Sequence, residues 1–353
     1  MTRGPFRHRA LVAGGVAALA LTGLIASATA QPDSVRLRGG GSTFAAPLFE
    51  AWIDAFERKH PAIEVGYDVV GSGEGINRFL TGSLDFAATD APLSAEQEAG
   101  VEGGVTHVPV TAGMIVVAYH LPDDLEGELR LPRDVYADIF AGRITKWDDP
   151  RLATANPHLE LPGRSIVVVA RSDGSGTTFA FTNHLNAVSD AWGESGGGVG
   201  IRADWPGSAM LARGNEGVAV NIQRGYGTIG YVEYGFASRL GLPLATVENA
   251  AGRFVRPTAA SGQAAIADSP LPDDLKIELP DPVGTEAYPI VTFTWSLLRD
   301  ADAATPRGAA ARRFTAWAVT DGQAMAPDLG YVPLPALVRR RAALALAVEE
   351  TER

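Results

Sequence analysis

Three times along this chain a short cluster of Gly, Ser and Thr leads into a helical pattern, and before the second and third an apolar run reads as a strand. That strand, turn and helix grammar limits the fold more than any other feature, because it demands alternating β and α elements with tight connections. The first cluster, residues 39–43, leads into a run where Leu48, Phe49, Trp52, Ile53 and Phe56 share one face and Glu50, Asp54 and Glu57 the other. Ser42 or Thr43 is the expected N-cap there, with Pro47 in the first turn. The second, residues 71–75, follows an apolar run at 63–70 and precedes a short helix at 76–80. The third, residues 173–177, follows a run at 165–170 and opens a helix over 178–188 with Phe179, His184, Leu185 and Val188 available for packing. Further β-branched runs at 114–119, 227–232 and 288–293 complete a set of expected buried strands. The class is α/β with largely parallel sheets.

Arg3, Arg7 and Arg9 precede an apolar stretch from Ala10 to Ile25 and then the small-residue site Ala28-Thr29-Ala30, the pattern of a cleaved secretory leader over residues 1–30. No later run approaches the ~18 apolar residues of a membrane span, so the mature chain is expected to be soluble. With no cysteine, an exported protein cannot use disulfides or thiolate metal sites, and its core alone must hold it. Of 30 basic and 41 acidic residues only the three leader arginines are lost with the leader, so the mature charge is −14 against −11 for the whole chain. Such a surface repels nucleic acid and anionic membrane. No internal repeat or low-complexity linker is visible. Arg339-Arg340-Arg341 and the residues up to Glu349 read as a surface helix packed on the N-terminal part of the fold.

The chemistry lies in the three turns. The first N–H groups of a helix lack intrahelical partners and carry partial positive charge, glycine admits a close ligand, and Ser and Thr add hydroxyl donors. Three such turns, with Arg171 beside the last, point to an oxyanion held by dipoles. Arg171 can pair with Asp173 or fork onto ligand oxygens. Ser175 sits in Asp-Gly-Ser-Gly-Thr, which is not the nucleophile elbow, and no Gly-Lys-Ser/Thr follows any glycine turn. The six histidines show no metal-ligand spacing, and His107, His120 and His184 read as packing or surface groups. Neither metal nor cofactor is expected.

The chain resembles the periplasmic phosphate-binding proteins of bacterial ABC uptake systems, the PstS family, over nearly its whole mature length. The residues that carry the likeness are Gly41-Ser42-Thr43-Phe44-Ala45-Ala46-Pro47, Gly71-Ser72-Gly73, the stretch from Leu84 through Asp90 to Leu93, the stretch from Ile139 to Pro150, the Arg171 to Thr177 segment, Gly214-Asn215-Glu216-Gly217-Val218, and Gly230-Tyr231-Val232-Glu233-Tyr234. The resemblance implies a two-lobed periplasmic binding protein fold of type II, each lobe a central β-sheet flanked by helices, with hinge strands between. Lobe I is then expected at 31–117 and 291–353 and lobe II at 118–290. It also implies a non-enzymatic, monomeric receptor that closes on phosphate and delivers it to membrane permease subunits.

By that likeness Thr43 donates its hydroxyl, Phe44 its backbone N–H and Ser72 both groups. Arg171 donates a fork held by Asp173, while Ser175, Gly176 and Thr177 supply N–H groups and hydroxyls. Asp90 accepts from the ligand itself, which requires a guest that still carries a proton and so disfavours sulfate. Glu74 departs from the expected small or neutral residue, and Arg78 at i+4 is expected to turn it outward. Asp85 is left outside the site. Arsenate cannot be separated from phosphate on this basis. The alternatives are a receptor for another tetrahedral oxyanion and a phosphate-ester hydrolase using Ser175 or Thr177.

Overall fold

The structure is a computed structural model that describes residues 34–122, 127–194 and 197–346. The leader expected over 1–30 lies outside the described residues, as does the end of the C-terminal segment beyond Leu346. Eight strands form one sheet in the order β2-β1-β3-β11-β4-β8-β6-β7: β1 (Val35–Gly41), β2 (Ile63–Val69), β3 (Phe86–Thr89), β4 (Val105–Tyr119), β6 (Val167–Arg171), β7 (Met210–Ala212), β8 (Thr228–Glu233) and β11 (Val291–Arg299). Three short strands, β5 (Arg130–Leu131), β9 (Thr246–Glu248) and β10 (Phe254–Val255), form a second small sheet. Helices flank the large sheet, and the architecture is the two-lobed α/β fold expected.

The sheet is mixed, not largely parallel. β1 runs parallel to β2 and β3, and β6 parallel to β7 and β8, as strand–helix–strand units require. Between these halves β11 is antiparallel to both β3 and β4, and β4 to β8. The reason is topological: β4 carries the chain from one half to the other and β11 brings it back, so the two must run in opposite directions. β4 changes partner along its length, its first part pairing with β11 up to Met114 and its last five residues, from Ile115, with β8. The two halves therefore share a strand instead of owning separate sheets.

β4 begins nine residues before the apolar run at 114–119, because Thr106, His107 and Pro109 disguise its first half. Pro109 is accommodated where the register with β11 shifts between Thr294 and Trp295, a bulge at which a missing N–H costs little. β11 likewise runs on to Arg299 instead of ending at Phe293. The run at 63–70 is not a buried strand: it lies at the sheet edge and only Val65 is buried. β1 escaped the sequence pattern altogether, since its three consecutive glycines look like loop.

The first half is closed by helix Ala46–Lys59, whose Leu48, Phe49, Trp52 and Phe56 are buried as the 3.6-residue spacing predicts. Phe49 stacks on Tyr67 at 4.8 Å, and Trp52 donates its indole N–H to Gly322 O at 2.8 Å. The N-cap position is Ala45, not Ser42 or Thr43; Ser42 instead reaches back to accept from Ala45 N–H at 3.2 Å. In the second half Phe181 stacks on Tyr231 at 4.5 Å beneath helix Gly176–Val188. Each such fully buried aromatic contributes about 2 kcal/mol of apolar burial. The C-terminal helix Ala336–Ala345 packs with Val338 and Ala342 buried, against β4 and helix Pro306–Val319.

Helix Ser72–Leu80 includes the glycine turn itself and starts earlier than expected. It lies so close to β1 that a Cβ on Gly75 would sit 2.4 Å from the Gly41 Cα, and Gly41 has φ +128. Alanine is the better helix former by about 1 kcal/mol. Gly75→Ala should nevertheless lose about 2 kcal/mol in urea unfolding, because the clash is with backbone that cannot give. A stabilised variant would mean that this helix does not rest on β1.

Candidate anion-binding site

The strand ends place the site. β1 and β3 are parallel neighbours with Gly41 opposite Ala88, so the residues that follow them, Ser42 to Phe44 and Asp90, emerge side by side. Helix Ser72–Leu80 begins just after β2, and helix Gly176–Val188 just after β6. β7, beside β6, leads into helix Gly214–Arg224. Four strand-to-helix turns from both halves of the sheet thus converge beyond the carboxyl ends of parallel strands, where α/β sheets hold ligands. Ser42, Thr43, Phe44, Ser72, Asp90, Arg171, Ser175, Thr177 and Asn215 are all buried there.

Asp90 is the acceptor at the centre. Ser42 Oγ lies 2.7 Å from its Oδ1 and 2.9 Å from its Oδ2, Thr294 Oγ1 donates to Oδ1 at 2.7 Å, and Ser72 Oγ donates to Oδ2 at 3.3 Å. Burial pushes the carboxyl up to about 6, while the bonds from Thr294 and Ser42, the Arg171 charge and the Ser72 bond pull the other way. Desolvation therefore outweighs the hydrogen bonds, and the group is ionised near neutral pH but protonated in mild acid.

Arg171 lies across from it, with Nε and Nη2 bonded to Asp173 at 2.8 and 2.6 Å and Nη1 to Thr177 Oγ1 at 3.3 Å. Asp173 thus occupies one edge of the guanidinium, and with the Thr177 bond counted one N–H remains on each terminal nitrogen. Burial raises the Asp173 carboxyl, but the Arg171 bonds and charge outweigh it and hold the group below its ordinary value. Asp173 also accepts from Gly214 N–H at 3.2 Å, which ties the arginine to the next turn.

The N–H groups of Phe44, Ser72, Gly176 and Thr177 have no protein partner among the described residues. Ser175 is different: its N–H donates to Ile201 O at 2.8 Å, so only its hydroxyl remains for the site. That hydroxyl also caps helix Gly176–Val188 by accepting from Thr178 N–H at 3.0 Å. No histidine or carboxylate is bonded to it among the described residues. Close approach explains the adjacent glycine, since a Cβ on Gly176 would lie 2.6 Å from Ser72 Oγ and 2.7 Å from Asp90 Cβ.

The residues anticipated at the edges also have clear positions. Glu74 accepts from Arg78 Nε at 2.7 Å and is half-exposed, turned away from the site. Asp85 accepts from Arg38 N–H at 2.7 Å outside it. His184 is buried between Tyr136 OH and Pro280 O, both at 2.6 Å, and His107 is buried as well. No group of three or more metal-ligating side chains occurs among the described residues.

Three site residues were not singled out in the sequence. Ser42 and Asn215 lie inside the motifs that carry the family likeness, which implies no ligand contact for either. Thr294 belongs to a polar stripe, Thr292, Thr294 and Ser296, on alternate positions of a buried strand. A period-two run of hydroxyls inside an apolar strand was the available signal.

Residues 26–322 match the family model described as a PBP superfamily domain. The chain is 36% identical over 307 residues to phosphate-binding protein PstS of Xylella fastidiosa (strain 9a5c), covering 86% of this chain and 83% of the relative. It is 36% identical over 301 residues to phosphate-binding protein PstS of Pasteurella multocida (strain Pm70), covering 85% and 86%. A solved high-affinity periplasmic phosphate-binding protein, PfluDING, bound with phosphate, superposes with a TM-score of 0.70 at 26% identity over 87% of this chain and 92% of that one. The phosphate-binding protein from Stenotrophomonas maltophilia shares the fold with a TM-score of 0.69 at 18% identity. By the extent of these matches the chain belongs to the PBP superfamily and, within it, to the PstS family.

Proposed function

We propose that the protein binds inorganic phosphate with high affinity in the periplasm, as a monomer, and delivers it to the membrane subunits of an ABC-type permease without chemical turnover. The reading rests chiefly on one observation, the buried Asp90 carboxylate set among hydroxyl and N–H donors. Unpaired N–H groups of Phe44, Ser72, Gly176 and Thr177, the Arg171 fork and the hydroxyls of Thr43, Ser175 and Thr177 match the lone pairs of a tetrahedral oxyanion. Asp90 can only accept when ionised, so it selects an anion that still carries a proton. The relatives named for phosphate, and the neighbour solved with phosphate bound, support the choice of anion. Asp173 supports Arg171 and does not touch the ligand.

In this reading lobe I comprises residues 31–117 and 291–353 and lobe II residues 118–290, with the hinge near Val116 to Tyr119 and Pro289 to Val291. The exchange of strand partners at Met114 and Ile115, and the bond from Ile115 N–H to Ile290 O at 2.9 Å, support a crossing at that place. Lobe closure brings the two sets of donors onto one anion. Export rests on the leader pattern at 1–30, and no helix among the described residues is long and apolar enough to cross a membrane. Ser175 has no bonded base among the described residues, so a chromogenic phosphate ester should show no turnover.

Titration calorimetry with phosphate and sulfate tests the role of Asp90. Wild type should take phosphate and refuse sulfate at about pH 8, and its sulfate affinity should rise as pH falls through about 6, where the carboxyl gains a proton and becomes a donor. Asp90→Asn should weaken phosphate at least tenfold, on the order of 1.4 kcal/mol, and bind sulfate with no such pH dependence. Sulfate rejection that survives the substitution would remove Asp90 from the selection.

Arg171→Lys replaces a planar fork with a point charge and should cost about 30-fold to 100-fold in phosphate affinity. An unchanged dissociation constant would place the anion elsewhere. Because the proposed donors are buried dipoles, wild-type affinity should change less than about threefold between ~0.02 and ~0.2 M salt. A steep fall would indicate capture by exposed charge.

A further inference from the structure

Asn215 is fully buried at the start of helix Gly214–Arg224 and touches both halves of the site. Its Nδ2 donates to Thr43 Oγ1 at 3.1 Å and to Thr177 Oγ1 at 3.2 Å, and its backbone N–H donates to Thr43 Oγ1 at 3.4 Å. Its Oδ1 accepts from Glu233 N–H at 3.0 Å. A backbone N–H can only donate, so this last bond fixes which end of the amide faces the threonines. Glu233 is itself immobilised, its carboxylate accepting from Gly235 and Phe236 N–H at 2.7 and 3.1 Å.

The consequence lies in the hydroxyl protons. Thr43 Oγ1 receives two donors from Asn215, while Thr177 Oγ1 receives one from Asn215 and one from Arg171 Nη1 at 3.3 Å. A hydroxyl has two acceptor lone pairs and one proton. With both lone pairs engaged, each threonine keeps only its proton to offer, and no described protein group takes it. We infer that Asn215 is a positioning residue that orients the hydroxyls of Thr43 and Thr177 as obligate donors to the bound anion and, by bonding Thr43 across the two halves of the sheet, stabilises the closed state. This inference rests on the oxyanion reading above, and it adds a residue that acts on the ligand only through two others.

Replacing Asn215 by Asp preserves volume and the acceptor for Glu233 N–H, but it turns the donor into an acceptor that draws both hydroxyl protons away from the ligand. It also adds a charge. A cycle separates the two effects: Asn215→Asp is made in wild type and in Thr43→Val/Thr177→Val, with phosphate affinity by calorimetry, dissociation by stopped flow and ligand-free Tm measured for each. The expected result is a loss of about 100-fold in wild type and of about threefold or less in the valine background, carried mainly by faster dissociation, because the Thr43 bond bridges the two halves. Equal losses in both backgrounds would mean simple repulsion by the new charge, and an unchanged affinity would mean no role; either overturns the inference. Should Asn215→Asp not fold, Asn215→Ala in the same cycle gives the same contrast without the charge. A wild-type chain that takes no phosphate would sink the oxyanion reading itself, whereas a wild type that binds alongside equal losses sinks only the role of Asn215.

Discussion

A carboxylate held in a nearly dry interior is the constraint to which the rest of the site answers. Removing Asp90 from water costs enough to push its pKa up to about 6 even with Thr294, Ser42, Arg171 and Ser72 opposing. Those opposing groups have to come from different strands, since one segment cannot surround its own side chain. The mixed sheet supplies them: β1 beside β3 delivers Ser42, and β11 on the other side of β3 pairs Trp295 with Thr89, so that Thr294 falls next to Asp90. The antiparallel return strand thus contributes a side chain to the candidate site as well as linking the halves.

A chain carrying −11 net charge is an unexpected host for an anion until the charges at the site are counted. Arg171 is already bonded to Asp173, and Asp90 adds another negative group, so the immediate surroundings offer no cationic excess. What remains is the partial charge on unpaired helix N–H groups and oriented hydroxyls, which stays effective because the turns are buried and screened little by salt. Such weak donors must lie close to the ligand and be fixed in direction. Gly176 lets one turn abut Ser72 and Asp90, and Asn215 and Arg171 together donate to the hydroxyl oxygens of Thr43 and Thr177.

Much of this was legible in the sequence, for physical reasons that differ from residue to residue. The helix Ala46–Lys59 announces itself because one face must be apolar over four turns. The Arg171 to Thr177 turn and the Glu74–Arg78 pair are legible because the interacting residues are close along the chain. β1 and the first half of β4 were hidden, since glycines and a proline break the local pattern while the neighbouring strands still provide the pairing. The N-cap at residue 45 moved for a similar reason: Ser42 lies where Asp90 can claim its hydroxyl.

Local chemistry by itself determined the kind of element each segment forms, the places where a helix opens through small donors, and the absence of disulfide support. Tertiary structure alone decided that those openings face one another, that Thr294 and Asn215 join them, and that the Ser175 N–H is turned away to Ile201. The division follows from range. Propensity, capping and i,i+4 pairing act within a turn or two of backbone, whereas the direction of a proton in the site depends on partners up to 204 residues away in sequence, brought near only when the whole sheet has formed.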